Sequence, residues 1–305
     1  MRRLLRRTGN RQKHHNIQKS IKKYKYMLDK IKNLVVRALS GALFLAVMVS
    51  SILFGGEYYS IVFLLLTILG LREFYSLVNQ KMDGVEVCVP LSILAGCVIY
   101  ASVVLFCKDG AYDGFWLASG FVATSLLMIV ELFRNKKNPV MNMALSLMGV
   151  LYVAVPFSLL TYVELAGEIG PQLVLSFFII IWASDTGAYL VGMLFGRHKM
   201  FERISPKKTW EGFAGGLLFS LLCGYIFSST DFFPPYTLLS WMSISFFVFI
   251  AGVLGDLVES MIKRNLGVKD SGSFMPGHGG LLDRFDSALI ASPVLLLTSL
   301  LMCVF

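Results

Sequence analysis

Nine stretches of this chain are long and apolar enough to cross a bilayer, and that constrains its fold more than any other feature. A spanning helix needs about 20 predominantly apolar residues to cover ~30 Å of hydrocarbon. Such runs lie near residues 35–55, 58–78, 87–106, 115–133, 141–163, 173–196, 210–227, 238–262 and 287–305. With 56% hydrophobic and only 15% charged residues among 305, the chain falls outside the range of ordinary soluble domains. The expected fold class is an all-α integral membrane protein, a polytopic bundle of about nine transmembrane helices.

A formal charge of +9 raises the question of nucleic acid, and the placement of the basic residues answers it. Thirteen of the 28 lysines and arginines lie in residues 1–37, and 14 of the other 15 sit in alternate connections: Arg72 and Lys81; Arg134, Lys136 and Lys137; Arg197, Lys199, Arg203, Lys207 and Lys208; Lys263, Arg264, Lys269 and Arg284. The intervening connections hold Lys108 alone. By the positive-inside rule the N-terminus is cytoplasmic and, after an odd number of spans, the C-terminus is outside. Nucleic acid is not an expected partner; membrane lipid is.

Three regions follow. Residues 1–33 form a basic juxtamembrane tail suited to anionic headgroups, 34–170 hold the first five spans, and 171–305 hold the last four with their cytoplasmic loops. Met27 is an alternative start, because the residues after it already supply a short basic lead into the first span. No removable leader is expected, since the first apolar run is long enough to stay as a span. Cys88, Cys97, Cys107, Cys223 and Cys303 show no paired spacing and read as small hydrophobes.

Charge inside the spans is distributed unevenly. The first five carry little: Arg72 and Glu73 are neighbours on different helix faces, so at least one looks into the bundle, and Glu131 either snorkels or turns inward. The last four carry Asp185 near mid-span and, in "GDLVESMIKRN", Asp256, Glu259, Ser260 and Lys263 at spacings of three and four, on one helix face. An i,i+4 pair of Glu259 and Lys263 at the membrane surface accounts for those two but not for Asp256, which lies eight residues before Arg264, or roughly 12 Å deep at 1.5 Å per residue. Ionised carboxylates at such depth mark functional sites by default. A polar cavity open to the cytoplasm is expected.

The loop before the last span, "PGHGGLLDRFD", combines the permissive backbone of Gly277, Gly279 and Gly280 with Asp283, Arg284 and Asp286. Glycines alone serve any tight loop. Together with Asp256, however, the two aspartates form a hard-oxygen set suited to Mg²⁺, which takes one or two carboxylates and completes its sphere from phosphates. Lys207, Lys208, Lys263, Arg264, Lys269 and Arg284 supply the phosphate-binding charge, whereas Lys199 and Arg203 serve topology and headgroups. His278 is either a general acid or base or a donor to phosphate.

The stretch from Ser260 through Lys263, Arg264, Lys269, Asp270, His278, Gly279, Gly280, Asp283 and Arg284 to Asp286 resembles the signature of phosphatidate cytidylyltransferases, also called CDP-diglyceride synthetases. "WASDTGAYLVGMLFGRH" and "ISPKKTWEG" resemble further stretches of that family, so the similarity covers residues 182–286. Met275 stands where the family usually has Leu, Ile or Phe, and the first 26 residues look like an extension. The resemblance implies a multi-pass inner-membrane enzyme, a homodimer, making CDP-diacylglycerol and pyrophosphate from CTP and phosphatidic acid with Mg²⁺; a second, monovalent cation is left open.

On that reading Asp256, Asp283, Lys263, Arg264 and His278 are the catalytic candidates, and Asp256, Asp283 and Asp286 the metal candidates. Substrate contacts are assigned to Ser260, Lys207, Lys208, Glu211, Asp185, Lys269, Asp270, Gly279, Gly280 and Arg284, with Asp185 and Glu211 at the cavity wall. A transporter would spread charge through the membrane and show related halves, and this chain does neither. A CDP-alcohol phosphotransferase would need a DGxxAR stretch, which the sequence lacks. Activation of another lipid phosphate, carrying ether or polyprenol tails, stays open.

Overall fold

The computed structural model describes residues 25–27, 32, 35–108, 113–272, 274 and 279–304. Most of the basic tail therefore lies outside the described residues, as does His278. Among the described residues nine helices are long and apolar enough to span a membrane: α1 (Val35–Phe54), α2 (Gly56–Lys81), α3 (Val89–Lys108), α4 (Asp113–Arg134), α5 (Pro139–Leu165), α6 (Gly170–Phe195), α7 (Trp210–Ser228), α8 (Leu238–Asn265) and α9 (Leu282–Val304). They match the nine apolar runs to within a few residues. The chain divides into two units, one of residues 1–47 and 275–278, the other of residues 48–274 and 279–305. All that follows concerns the second unit.

Its tightest helix pair is α6 with α7, and glycine is the reason. A Cβ at Gly187 would strike the Phe219 ring, one at Gly215 would lie 2.5 Å from the Val191 side chain, and Gly212 already faces the Ala188 carbonyl. Lipid gives helices no hydrophobic reason to associate, so small residues that let backbones approach do that work. Gly255 has the same role between α8 and α9, where a Cβ would come within 2.6 Å of the Asp286 carbonyl. It thereby sets the helix of Asp256 against the helix of Asp286.

Buried hydroxyls tie the apolar spans together. Tyr100 Oη on α3 donates to the Ser60 carbonyl of α2 at 2.8 Å and lies 2.8 Å from Thr161 Oγ1 of α5. Tyr75 Oη donates to the Ser146 carbonyl at 2.7 Å, its ring seated over Gly149. Halfway along α5 the helix widens into a π-turn at Val150–Ala154. Pro156, two residues on, has no N–H to offer the Tyr152 carbonyl, and the wider turn accommodates that loss.

Between α6 and α7 the polar stretch "GRHKMFERISPKKT" is not a plain loop. It forms an antiparallel hairpin of β1 (Lys199–Phe201) and β2 (Ser205–Thr209), with Lys199 opposite Thr209. Thr209 then caps α7 by accepting from Gly212 N at 3.1 Å. At the other end of α8, Gly267 has φ +67° and closes the helix with Val268 N donating to the Lys263 carbonyl at 2.9 Å.

Alternate connections meet at opposite ends of the bundle. At one end Glu73 of α2 contacts the α8–α9 loop, Lys136 pairs with Glu86 at 2.5 Å, and Arg264 reaches the Ile204 carbonyl of the hairpin. Lys136 holds the Glu86 carboxyl below its ordinary pKa. At the other end Gly56 N donates to Glu164 at 2.7 Å and Lys108 faces Glu57. The connections rich in lysine and arginine are those of the first end.

Candidate active site

At the basic end, a cavity of about 420 Å³ opens between α6, α7, α8 and the hairpin, and Asp185, Lys207, Lys208, Asp256 and Ser287 supply its polar wall. Lys208, the last lysine of β2, places Nζ 2.7 Å from Asp256 Oδ2. That ion pair answers the depth of Asp256: its counter-charge comes from the hairpin, not from Lys263. Ser260, one turn along α8, donates to Asp256 Oδ1 at 3.2 Å. Asp185 and Asp256 share this wall against the Lys208 ammonium, and Asp286 lies within electrostatic range of both acids.

Lys263 is buried in a second cluster. Its ammonium contacts Glu259 and lies 2.6 Å from Asp283 Oδ1, with all three side chains at most 12% exposed. The i,i+4 pair of Glu259 and Lys263 therefore forms, but inside the bundle and not at its surface. Asp283 Oδ2 accepts from Ser271 N at 3.0 Å and Gly280 N at 2.8 Å. A Cβ at Gly279, whose φ is +89°, would sit 2.7 Å from the same oxygen. Glycine there lets the loop close onto the aspartate.

The remaining candidates are placed as follows. Glu211 turns away from the lysines: its carboxylate lies 2.5 Å from His198 Nδ1 and accepts from Arg197 N and His198 N. It braces the approach to β1. Arg264 bonds the Ile204 and Val268 carbonyls, which ties α8 to the hairpin and to its own cap. Lys269, Asp270 and Arg284 are exposed, and Gly280 is buried under Asp283. Glu131 is buried, bonded to Arg134 and to Asn142 Nδ2 at 2.6 Å, so it is inward-facing and does not snorkel.

Two residues near these groups carried no assignment in the sequence. Glu73, beside exposed Arg72, turns inward and accepts from Ser271 Oγ, Leu281 N and Leu282 N. Its position beside Arg72 was the available signal. Tyr152, buried at the π-turn, lies within electrostatic range of Glu259 and Asp286; no residue pattern announces a π-turn apart from Pro156.

No group of three or more metal-type side chains forms a ready cage among the described residues. Asp256 and Asp286 nevertheless present carboxylate oxygens of the hard type, in number enough for an ion that completes its sphere from phosphate and water. The donor set fits Mg²⁺ on those terms.

The model of the cytidylyltransferase family matches residues 35–302. This chain belongs to the cytidylyltransferase family. It is therefore a nucleotidyltransferase. The phosphatidate cytidylyltransferase of Staphylococcus haemolyticus (strain JCSC1435) is 35% identical over 267 residues, covering 85% of this chain and 96% of that relative. That of Staphylococcus aureus (strain COL) is 36% identical over 263 residues, with the same coverage. The family match begins where α1 begins, and it takes in both clusters described above.

Proposed function

We propose that this chain joins CTP to phosphatidate, forming CDP-diacylglycerol and releasing pyrophosphate. The observation that carries this reading is the Lys208–Asp256 cavity at the basic end of a membrane-spanning bundle, in a chain alike along nearly the full length of phosphatidate cytidylyltransferases. A nucleotide arrives from water and a lipid phosphate from the bilayer. A polar pocket at a helix-bundle end serves both.

A phosphate oxygen of phosphatidate attacks the α-phosphorus of CTP, a new P–O bond forms, and the bond to the β-phosphate breaks in line. The attacking monoester is already anionic near neutral pH, so positioning and charge neutralisation carry most of the catalysis. Lys207 and Lys208 at the cavity wall neutralise substrate phosphates; Lys208 does so by exchanging Asp256 for phosphate oxygen. Asp256 and Asp286 would hold Mg²⁺, with Asp283 as a third ligand if Lys263 contacts phosphate instead. Bound there, Mg²⁺ would stabilise the charge that develops on the departing pyrophosphate. Asp185, on the same wall as Asp256, orients Lys208. His278, beyond the described residues, stays assigned to the triphosphate.

By the positive-inside rule the basic end faces the cytoplasm, with the N-terminus inside and the C-terminus outside, and the family resemblance implies a bacterial-type inner membrane. A homodimer is the expected assembly. Purified protein in detergent, supplied with labelled CTP, phosphatidate and Mg²⁺, should release pyrophosphate and CDP-diacylglycerol in equal amounts, and omission of any one component should stop both. Pyrophosphate release without lipid would contradict the proposal.

A further inference from the structure

Three donors from the region joining α8 to α9 converge on one carboxylate of α2. Ser271 Oγ donates to Glu73 Oε1 at 2.6 Å, Leu282 N donates to the same oxygen at 3.0 Å, and Leu281 N donates to Oε2 at 2.8 Å. The two N–H groups stand at the start of α9, where no carbonyl within the helix can accept them and where the helix dipole favours an anion. Space has been cleared for this carboxylate: a Cβ at Gly280 would collide with Oε1, and one at Gly272 would come within 2.7 Å of Oε2.

The same loop is gripped from its other side. Asp283 accepts from Ser271 N and Gly280 N while its second oxygen meets Lys263. Ser271 is thus held twice, by its hydroxyl to Glu73 and by its N–H to Asp283. The two ends of the loop, at 271 and at 280–282, are pinned together by one acid from α2 and one from α9.

We propose that Glu73 is a positioning residue for the transfer reaction, clamping the α8–α9 loop so that the aspartates at the start of α9 stay in register with Asp256 on α8. This rests on the function proposed above. A carboxylate that merely satisfied backbone donors would leave turnover per folded molecule unchanged when replaced. A clamp sets the geometry of reacting groups, so its loss lowers kcat and leaves lipid binding largely intact.

The test uses the full chain in lipid–detergent micelles with Glu73→Gln, Glu73→Ala, Ser271→Ala and, as a control on the exposed neighbour, Arg72→Gln. Glu73→Gln places an amide donor against a backbone donor. It should lower kcat roughly tenfold, with the KM for phosphatidate changed by less than about twofold. Glu73→Ala should lower it further, and Ser271→Ala, which loses one bond, should fall between. Trypsin should cut at Lys269 about fivefold faster in both Glu73 variants, at an unchanged unfolding midpoint. Arg72→Gln should match the unmodified chain throughout. Normal kcat with normal protection of Lys269 in Glu73→Gln would overturn the proposal, as would a loss of kcat that tracks only the fraction of unfolded protein. If the unmodified chain makes no CDP-diacylglycerol, the function proposed above fails, whereas the trypsin measurement still decides whether Glu73 holds the loop.

Discussion

Lys263 illustrates how a single buried cation holds two acids. Each of the three groups loses hydration on burial, and their mutual attraction offsets the loss only while all three are present. Lys263→Met should therefore leave Glu259 and Asp283 uncompensated and lower unfolding stability by roughly 3–5 kcal/mol, read by denaturant titration in micelles. Restoring Lys263→Met with Glu259→Gln should recover part of that loss, since one of the stranded charges is gone. The acids of this site are legible in the sequence because charge within an apolar run is so costly that it announces itself. Their partners are not. Asp256 meets Lys208 from a hairpin 48 residues earlier, and Glu211, next to the lysines in sequence, turns to His198 instead.

At the scale of elements, hydropathy and length gave the nine spans, and no long-range information was needed for them. The hairpin between α6 and α7 escaped because its strands are only three and five residues long and neither carries a run of apolar alternation. The π-turn in α5 escaped because its cause is one proline in an otherwise regular run. Which glycines serve packing also emerges only in three dimensions. A Cβ at Gly215 would lie 2.5 Å from the Val191 side chain, so Gly215→Val should overpack the α6–α7 crossing and cost ~1–3 kcal/mol. Gly114, with open space around its Cβ position, should accept Ala with little change in the same titration.

Across the second unit, the contacts gather alternate connections at two ends and the basic ones at a single end. The positive-inside rule then predicts sidedness. With the native cysteines replaced, a membrane-impermeant maleimide should label Lys108→Cys in right-side-out vesicles and Lys137→Cys only in inverted ones. The reverse pattern would place the cavity on the wrong side for cytoplasmic CTP. The proposed transfer requires that the nucleotide and lipid phosphates meet in the Lys208–Asp256 cavity. The direct measurement is CDP-diacylglycerol formation by purified Asp256→Asn and Lys208→Ala, each normalised to folded protein. Both should lose about a hundredfold or more in turnover while keeping the fold; turnover equal to that of the unmodified chain in both would contradict it.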